Sequence, residues 1–452
     1  MRIRRLVTVA ALAVARDMAA NALPAQSGPS VDVMARAIPL VTRADPTATR
    51  GALTEGYLVQ PIVMAHAAWG PLRGVGTLNF EGLTLDRGEL NTGGYGEGYV
   101  DRRHPHAYVH ELLAGAETAR DSVHLSLFAG RGFAPFGSDD PMMRPFEKYP
   151  VNHHLAQILE RVVAVGAARY GPVIGEFGLF NGDEPVGPGA SPNFSRFGDS
   201  WASRLTLLPL RGAELSGSLA SVTSPEVRAG HGLDQRKASV VARYSRMTND
   251  KWLYGLLEWE RTGERDHGAL VTRLGSLLGE AAACRGGVIA AARLERTDRP
   301  EEEQTLDPFR APRPEVDLSN LGVSRWTTLT LSLSAPRVGT RLISGRPFVE
   351  VARIGVAAGT PAGIFDPQSR YGADRMWMLS AGVRLRAGMA HDRMGRYGAA
   401  LPPSEGPMAA MPSMGGAEPM STMPDMSGMS TAKGDRASGR AGDVHASTRC
   451  AL

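Results

Sequence analysis

Alternation of apolar and polar residues over short stretches is the feature that most restricts the fold of this chain. From about Tyr57 to Arg386, segments of about ten residues alternate with period two and are separated by turns or by polar loops. The stretch Trp377 to Arg386 shows this most clearly, because its odd-numbered residues are apolar and its even-numbered residues are mostly polar or small. Successive side chains of a strand point to opposite faces, so the pattern predicts an all-β chain.

The connections between these segments alternate in length. Short ones lie near Gly70, Asp121, Gly171, Arg211 and Asn249, and the connections between them are long and polar. Short turns on one side and long loops on the other are what an antiparallel up-and-down transmembrane barrel needs. We count about 14 to 16 strands in this arrangement. The alternative is a soluble all-β protein whose apolar faces pack sheet against sheet.

Composition excludes several other classes. The 452 residues have a net charge of +4 with scattered basic residues, which does not indicate nucleic-acid binding. The only cysteines, Cys284 and Cys450, lie far apart without a CxxC pair, so we expect neither a disulfide framework nor a structural zinc site. No stretch approaches 18 consecutive apolar residues, so a membrane-spanning helix is not expected.

The two ends of the chain differ from its middle. Arg2, Arg4 and Arg5 precede an apolar run and then small residues, a pattern typical of a secretory signal peptide over residues 1–25. We therefore expect an N-terminal segment over 26–56, the barrel over 57–398 and a disordered, Met-rich tail over 399–452.

Three stretches carry a resemblance to known proteins. The stretch Ser380 to Ala387 resembles the polar-x-Gly-x-x-apolar-x-apolar signal that closes outer-membrane barrels. The segments GYVDRRHPHAYVHELL (Gly98 to Leu113) and HDRMGRYG (His391 to Gly398) are similar to those of uncharacterised bacterial outer-membrane β-barrel proteins. The resemblance implies a porin-like barrel in the outer membrane of a Gram-negative-type bacterium, in contact with its lipid, and implies no enzymatic activity.

Charged residues on the polar faces of the segments indicate a wet lumen. By parity, the expected lumen-lining residues are Arg204, Arg243, Glu258, Arg293, Glu295, Arg384 and Arg386. The excess of arginine predicts passage of small solutes with a mild preference for anions.

A group of histidines is the first candidate metal site. His104, His106 and His110 share one parity, and neighbours two residues apart in a strand can present two imidazoles to one ion. His124, in the next segment, is also expected to point into the lumen. Glu111 and Glu117 have the opposite parity, so the sequence leaves open which set faces water. A polar loop at the mouth of the lumen is the alternative interpretation of the histidines.

A run of methionines is the second candidate metal site. Seven of the 18 methionines fall within 22 residues, namely Met408, Met411, Met414, Met420, Met423, Met426 and Met429. Soft thioethers prefer Cu(I), and the run resembles the methionine-rich segments of bacterial copper-resistance proteins. Copper is thus the one candidate ligand, and the alternative function is a copper-resistance protein that sequesters Cu(I). A low-complexity tail without metal is the competing interpretation.

Enzymatic motifs are weak. Gly198, Asp199 and Ser200 resemble the start of a GDS-type hydrolase block, but no histidine-bearing partner motif follows. A lipid- or ester-cleaving barrel that uses Ser200 is the third hypothesis, and we expect no catalytic residues.

Overall fold

The strands account for most of the described chain. A computed structural model describes residues 28–45, 51–84, 106–248, 251–302, 320–340, 342–359, 366, 368, 373–388, 393–403 and 450. Within these residues the strands are β1 (Ser30–Asp45), β2 (Leu53–Trp69), β3 (Leu72–Asn79), β4 (Val109–Arg120), β5 (Val123–Gly132), β6 (Arg161–Tyr170), β7 (Val173–Phe180), β8 (Ser200–Leu207), β9 (Ala213–Val222), β10 (Asp234–Thr248), β11 (Lys251–Asp266), β12 (Ala269–Arg285), β13 (Val288–Glu302), β14 (Asn320–Ser334), β15 (Val338–Gly339), β16 (Ile343–Ala358) and β17 (Arg375–Gly388).

The strands form one closed antiparallel barrel. Each long strand pairs with its neighbours in the chain, and β1 closes the barrel by pairing with both β2 and β17. The two-residue β15 pairs only with β16, and β14 pairs directly with β16, so the wall has 16 strands. Closure leaves no sheet edge unpaired, which is the condition for a β-structure to lie in lipid. The predicted up-and-down barrel is confirmed.

Side chains alternate between a lipid-facing and an inward-facing set. In β8, Leu205 is 53% exposed, whereas the neighbouring Arg204 and Thr206 are buried. In β14, Leu329, Leu331 and Leu333 point outward, and the serines and threonines between them point inward. A soluble protein has the reverse distribution, so the soluble sandwich alternative is wrong. An apolar exterior around a polar interior places this barrel in the outer membrane.

The barrel begins earlier than the alternation suggested. β1 starts at Ser30, whereas the sequence predicted the barrel from Tyr57. Both faces of β1 carry apolar residues, because Met34, Ile38 and Leu40 point inward while Val33 and Val41 point outward, which explains why the apolar–polar pattern is weak there. The predicted signal peptide, 1–25, lies outside the described residues.

The two ends of the barrel have different connections. At the turn side, pairs of residues such as Gly70–Pro71 and Gly286–Gly287 join the strands. At the loop side most connections are long, although only His267 and Gly268 separate β11 from β12. Two short α-helices, α1 (Glu81–Thr84) and α2 (His153–Ala156), lie in loop-side connections. No helix in the described part of the chain is long and apolar enough to cross a membrane.

Two segments fold into the lumen. The first is the β5–β6 connection, Phe133–Glu160, here called the inward loop, which is almost entirely buried. The second, residues 393–403, follows β17 and is here called the lumen segment; it contacts the inner faces of β4 to β9. The predicted tail, 399–452, therefore begins with residues that pack inside the barrel. The rest of that tail, apart from Cys450, lies outside the described residues.

A disulfide joins the chain end to the wall. Cys284, which faces inward near the turn-side end of β12, is bonded to Cys450, and their Cα atoms are 5.7 Å apart. The sequence-based expectation of no disulfide is wrong. The two residues are 166 positions apart, and only the closed barrel brings them together.

Candidate functional site: the filled lumen and a histidine cluster

The charged residues expected at the lumen all lie on inward-facing positions. Arg204, Glu258, Arg293, Glu295 and Arg384 are buried, whereas Arg243 and Arg386 are partly exposed. Most of them are paired with carboxylates: Arg204 with Glu176, Arg293 with Glu280, Arg384 with Glu147, and Arg243 with Glu214. Glu147 belongs to the inward loop, whereas Glu176, Glu280 and Glu214 lie on the wall. Arg204 and Arg293 also donate to backbone oxygens of the inward loop, so three of these arginines hold that loop against the wall.

Arg144 fastens the inward loop to the wall. Its Nη2 lies 3.1 Å from Glu258 Oε1, and its Nη1 lies 3.5 Å from Glu280 Oε1. The same guanidinium donates to the hydroxyl of Ser138 and the backbone oxygen of Asp139 within the loop. A single buried cation thus joins β11 and β12 to the loop.

Other contacts carry the inward loop across the lumen. The amide of Gly137 donates to Ser218 on β9 at 2.9 Å, and the amide of Val151 donates to Glu295 on β13 at 2.7 Å. Glu147 accepts from Arg384 on β17. Since these strands lie on different sides of the wall, the inward loop spans the barrel.

The lumen segment is held by arginines of its own. Arg393 contacts both Asp139 and Glu214 at 2.6 Å, and Arg396 contacts Asp139 at 3.0 Å. Burial opposes ionisation of Asp139, but the guanidiniums of Arg393 and Arg396 outweigh it and hold the pKa of this carboxyl well below its usual range. The lumen segment therefore binds to the inward loop as well as to the wall.

Tyr397 connects the lumen segment to β4. Its hydroxyl donates to Glu111 Oε1 at 2.8 Å and accepts from the amide of Phe133 at 3.0 Å. Burial and the neighbouring Glu111 raise the pKa of Tyr397 well above its usual value, so the hydroxyl keeps the proton that it donates.

His106 and His110 meet at the loop-side end of β4. His110 Nδ1 lies 2.7 Å from Glu160 Oε1, and His106 Nδ1 lies 3.4 Å from the same oxygen. Glu160 directly precedes β6, and its Oε1 also accepts from the amide of Ala107 at 2.8 Å. The three side chains are buried, and their ligand atoms all lie within 4.8 Å of one another. A set of two imidazoles and one carboxylate is one that binds divalent transition metals.

A β-bulge explains how His110 reaches this position. Thr77 on β3 pairs with Glu111, and the next residue, Leu78, pairs with Val109, so His110 is an extra residue in β4. A bulge of this kind lets two consecutive side chains point to the same face. His110 and Glu111 are accordingly both buried inside the barrel, although their parity is opposite.

The other predicted metal ligands are elsewhere. His124, on β5, lies 3.3 Å from Glu117 and 3.2 Å from Arg169, apart from the cluster. His104 and the methionines of the tail lie outside the described residues. The structure thus brings together two of the four histidines.

Sequence reasoning missed the carboxylates of the cluster. Glu160 ends the inward loop, Asp140 lies 20 residues earlier in the same loop, and Glu81 lies in the β3–β4 connection. No local pattern connects them. The one local irregularity is structural, since Glu160 has a φ of 60°, in the left-handed region that residues other than glycine rarely adopt.

Ser200 serves as a link between strands. Its hydroxyl donates to Asp199 Oδ1 at 2.8 Å and accepts from the amide of Thr223 at 3.0 Å. Among the described residues, no histidine forms a hydrogen bond with this hydroxyl. The geometry thus ties the start of β8 to the end of β9.

Comparisons with known proteins found similar solved structures. The anion-selective porin from Comamonas acidovorans is 12% identical and matches with a TM-score of 0.46, over 80% of this chain and 100% of that one. OmpT of Vibrio cholerae, in its trimer form, is 9% identical with a TM-score of 0.44, over 80% of this chain and 100% of that one. OccK2 (OpdF) of Pseudomonas aeruginosa is 12% identical with a TM-score of 0.37, again over 80% and 100%. No protein-family model and no curated protein matches the chain.

Proposed function

We propose that the protein is a porin-like outer-membrane channel for small solutes, in which the inward loop sets the width of the path. The observation that carries the proposal is the polar inner face of the wall, where Ser, Thr, Arg and Glu alternate with the outward apolar residues. A polar interior is expected of a barrel that admits water and solutes.

A mild preference for anions is part of the proposal. Among the inward-facing arginines, Arg243 and Arg386 are partly exposed, so their guanidiniums present positive charge to the lumen. Fixed positive charge beside a narrow path attracts anions.

Single-channel recording in planar bilayers tests the proposal. We expect small conductance steps with an anion-selective reversal potential. Arg144→Gln removes the charge that joins the inward loop to β11 and β12, and should enlarge the steps. The matched control is Arg273→Gln, which neutralises an exposed arginine of β12. If folded wild type and Arg144→Gln are both silent, the channel proposal fails.

Copper sequestration is a second candidate function. The described residues that flank the methionine run are anchored at the turn side: Arg169, two residues before the β6–β7 turn, donates to the backbone oxygen of Leu401, and Cys450 is bonded to Cys284. We propose that the run, Met408 to Met429, binds Cu(I). Removal of residues 408–429 should then abolish tight Cu(I) binding by the folded protein. Undiminished binding would contradict the proposal.

A further inference from the structure

We propose that His106, His110 and Glu160 bind one divalent transition-metal ion of the zinc class, and that this ion fastens the inward loop to β4. A tetrahedral site with bond lengths of about 2.0–2.2 Å places its ligand atoms about 3.4 Å apart. Glu160 Oε1 already lies 2.7 Å and 3.4 Å from the Nδ1 atoms of His110 and His106. Only small shifts of the side chains separate this arrangement from a bound site.

The far side of each imidazole faces a second carboxylate. His110 Nε2 lies 3.7 Å from Asp140 Oδ2, and His106 Nε2 lies 4.0 Å from Glu81 Oε2. A histidine that binds a metal usually directs its other ring nitrogen to a carboxylate, which fixes the ring and raises its basicity. Both rings show this relation, with Nδ1 toward the shared Glu160 and Nε2 toward a separate acid.

The outer carboxylates are themselves held in place. Glu81 accepts from the amide of Gln60 at 2.8 Å and from the side chain of Asn79 at 3.2 Å. Asp140 accepts from the amide of Met142 at 2.7 Å. The two carboxylates that face the imidazoles are thus held by the backbone of β2, by the end of β3 and by the inward loop.

The cluster contains more negative than positive charge. Three buried carboxylates, Glu81, Asp140 and Glu160, surround the two imidazoles. Among the described residues, Arg131 lies near Glu160 and Arg36 lies near Asp140, but no lysine or arginine comes within 4.0 Å of any of the three carboxylates. Buried carboxylates are normally paired or bind a metal, so a divalent cation would neutralise this group.

Two backbone irregularities converge on the proposed ligands. The bulge at His110 turns that ring inward, and the positive φ of Glu160 aims its carboxylate at both rings. A β-bulge at one ligand and a left-handed residue at another are features that recur at functional sites. Asp140 belongs to the inward loop and Glu160 ends it, so a bound ion would tie both ends of the loop to β4.

Cobalt binding by the full-length, untagged, EDTA-treated protein tests this proposal. Co²⁺ is a spectroscopic substitute for Zn²⁺, and neither ion favours the thioethers of the methionine run. We expect about one Co²⁺ per folded chain, with intense d–d absorption typical of low coordination number, displaced by Zn²⁺. This measurement requires no variant.

Variants then assign the site. Asp140→Asn changes a carboxylate that faces His110 but does not bind the ion, so Co²⁺ affinity should fall about 10- to 100-fold. Glu160→Gln and His110→Ala alter a ligand directly and should lower Co²⁺ affinity further. His267→Ala, which removes an almost fully exposed histidine, should bind like wild type. Folding is checked by the altered gel mobility of unheated barrel protein.

Two results would overturn the proposal. One is folded wild type that takes up no Co²⁺ or Zn²⁺, which would leave the cluster as a proton-sharing group of histidines and acids. The other is unchanged affinity in folded Glu160→Gln and His110→Ala. The test is independent of channel activity, because metal binding is measured on protein that conducts and on protein that does not.

Discussion

The ion pair of Arg204 and Glu176 shows how single residues hold the contents of the lumen. Two guanidinium nitrogens of Arg204 bind the two carboxylate oxygens of Glu176 at 2.6 and 2.7 Å. The same guanidinium donates to the backbone oxygens of Gly137 in the inward loop and Gly395 in the lumen segment. One side chain therefore joins the wall to both inward segments.

Removal of one partner of this pair should destabilise the barrel. Arg204→Met leaves Glu176 buried without a counter-charge, which typically costs about 3–5 kcal/mol. The double variant Arg204→Met/Glu176→Met should recover part of the loss, because it removes both charges. Urea unfolding in lipid vesicles, followed by tryptophan fluorescence, measures the difference. A double variant less stable than Arg204→Met would contradict this expectation.

Lys148 should make stability depend on alkaline pH. Burial lowers the pKa of Lys148 to about 8, and the nearby Glu350 opposes this shift only in part. In the unfolded chain the pKa of this lysine is 10.5. Between these values the unfolded chain binds more protons, so the free energy of unfolding rises with pH, by about 3 kcal/mol at most. Lys148→Met lacks this dependence. Parallel stability curves for wild type and Lys148→Met from pH 7.5 to 10.5 would refute the assignment.

At the scale of elements, the inward loop depends on a turn that only glycine permits. Gly137 has a φ of 65°, and a Cβ there would lie 1.8 Å from the backbone oxygen of Ala156. Its amide and its carbonyl bind Ser218 and Arg204, so the backbone cannot shift without loss of both contacts. The loop is thus held inward partly by the absence of a side chain.

Gly137→Ala should therefore displace the inward loop and widen the path. We expect larger single-channel conductance and a lower midpoint of thermal unfolding than in wild type, since the left-handed conformation alone costs an alanine about 1–2 kcal/mol. Gly187→Ala is the matched control, because a Cβ at Gly187 meets no atom within 4 Å. Equal conductance of the two variants would show that the loop does not limit the path.

At the scale of the molecule, local pattern predicted the wall but not its contents. Alternation in strands such as β8 and β14 follows from the pleat, so the barrel and the inward-facing arginines could be read from neighbouring residues. The contacts that fill the lumen join distant positions, as Arg144 and Glu258 do across 114 residues. Glu160 and the bulge at His110 depend on such contacts, which explains why the sequence indicated His106 and His110 without their shared carboxylate.

The balance of charge inside the whole barrel should decide its ion selectivity. Arg393 and Arg396 of the lumen segment pair with Asp139 and Glu214, and Arg243 on the wall also pairs with Glu214. The double variant Arg393→Gln/Arg396→Gln uncovers these two carboxylates, so its reversal potential should shift toward cations. The shift should shrink at high salt, because mobile ions screen the exposed charges.

The matched control for this prediction is Arg120→Gln/Arg273→Gln, which removes the same net charge from exposed positions. If selectivity reflects local charge inside the lumen, the control should keep the reversal potential of wild type. If both double variants shift equally, net charge and not the lumen segment sets selectivity. If neither shifts, ions bypass Asp139 and Glu214, and the path lies on the other side of the inward loop, along β12 to β17.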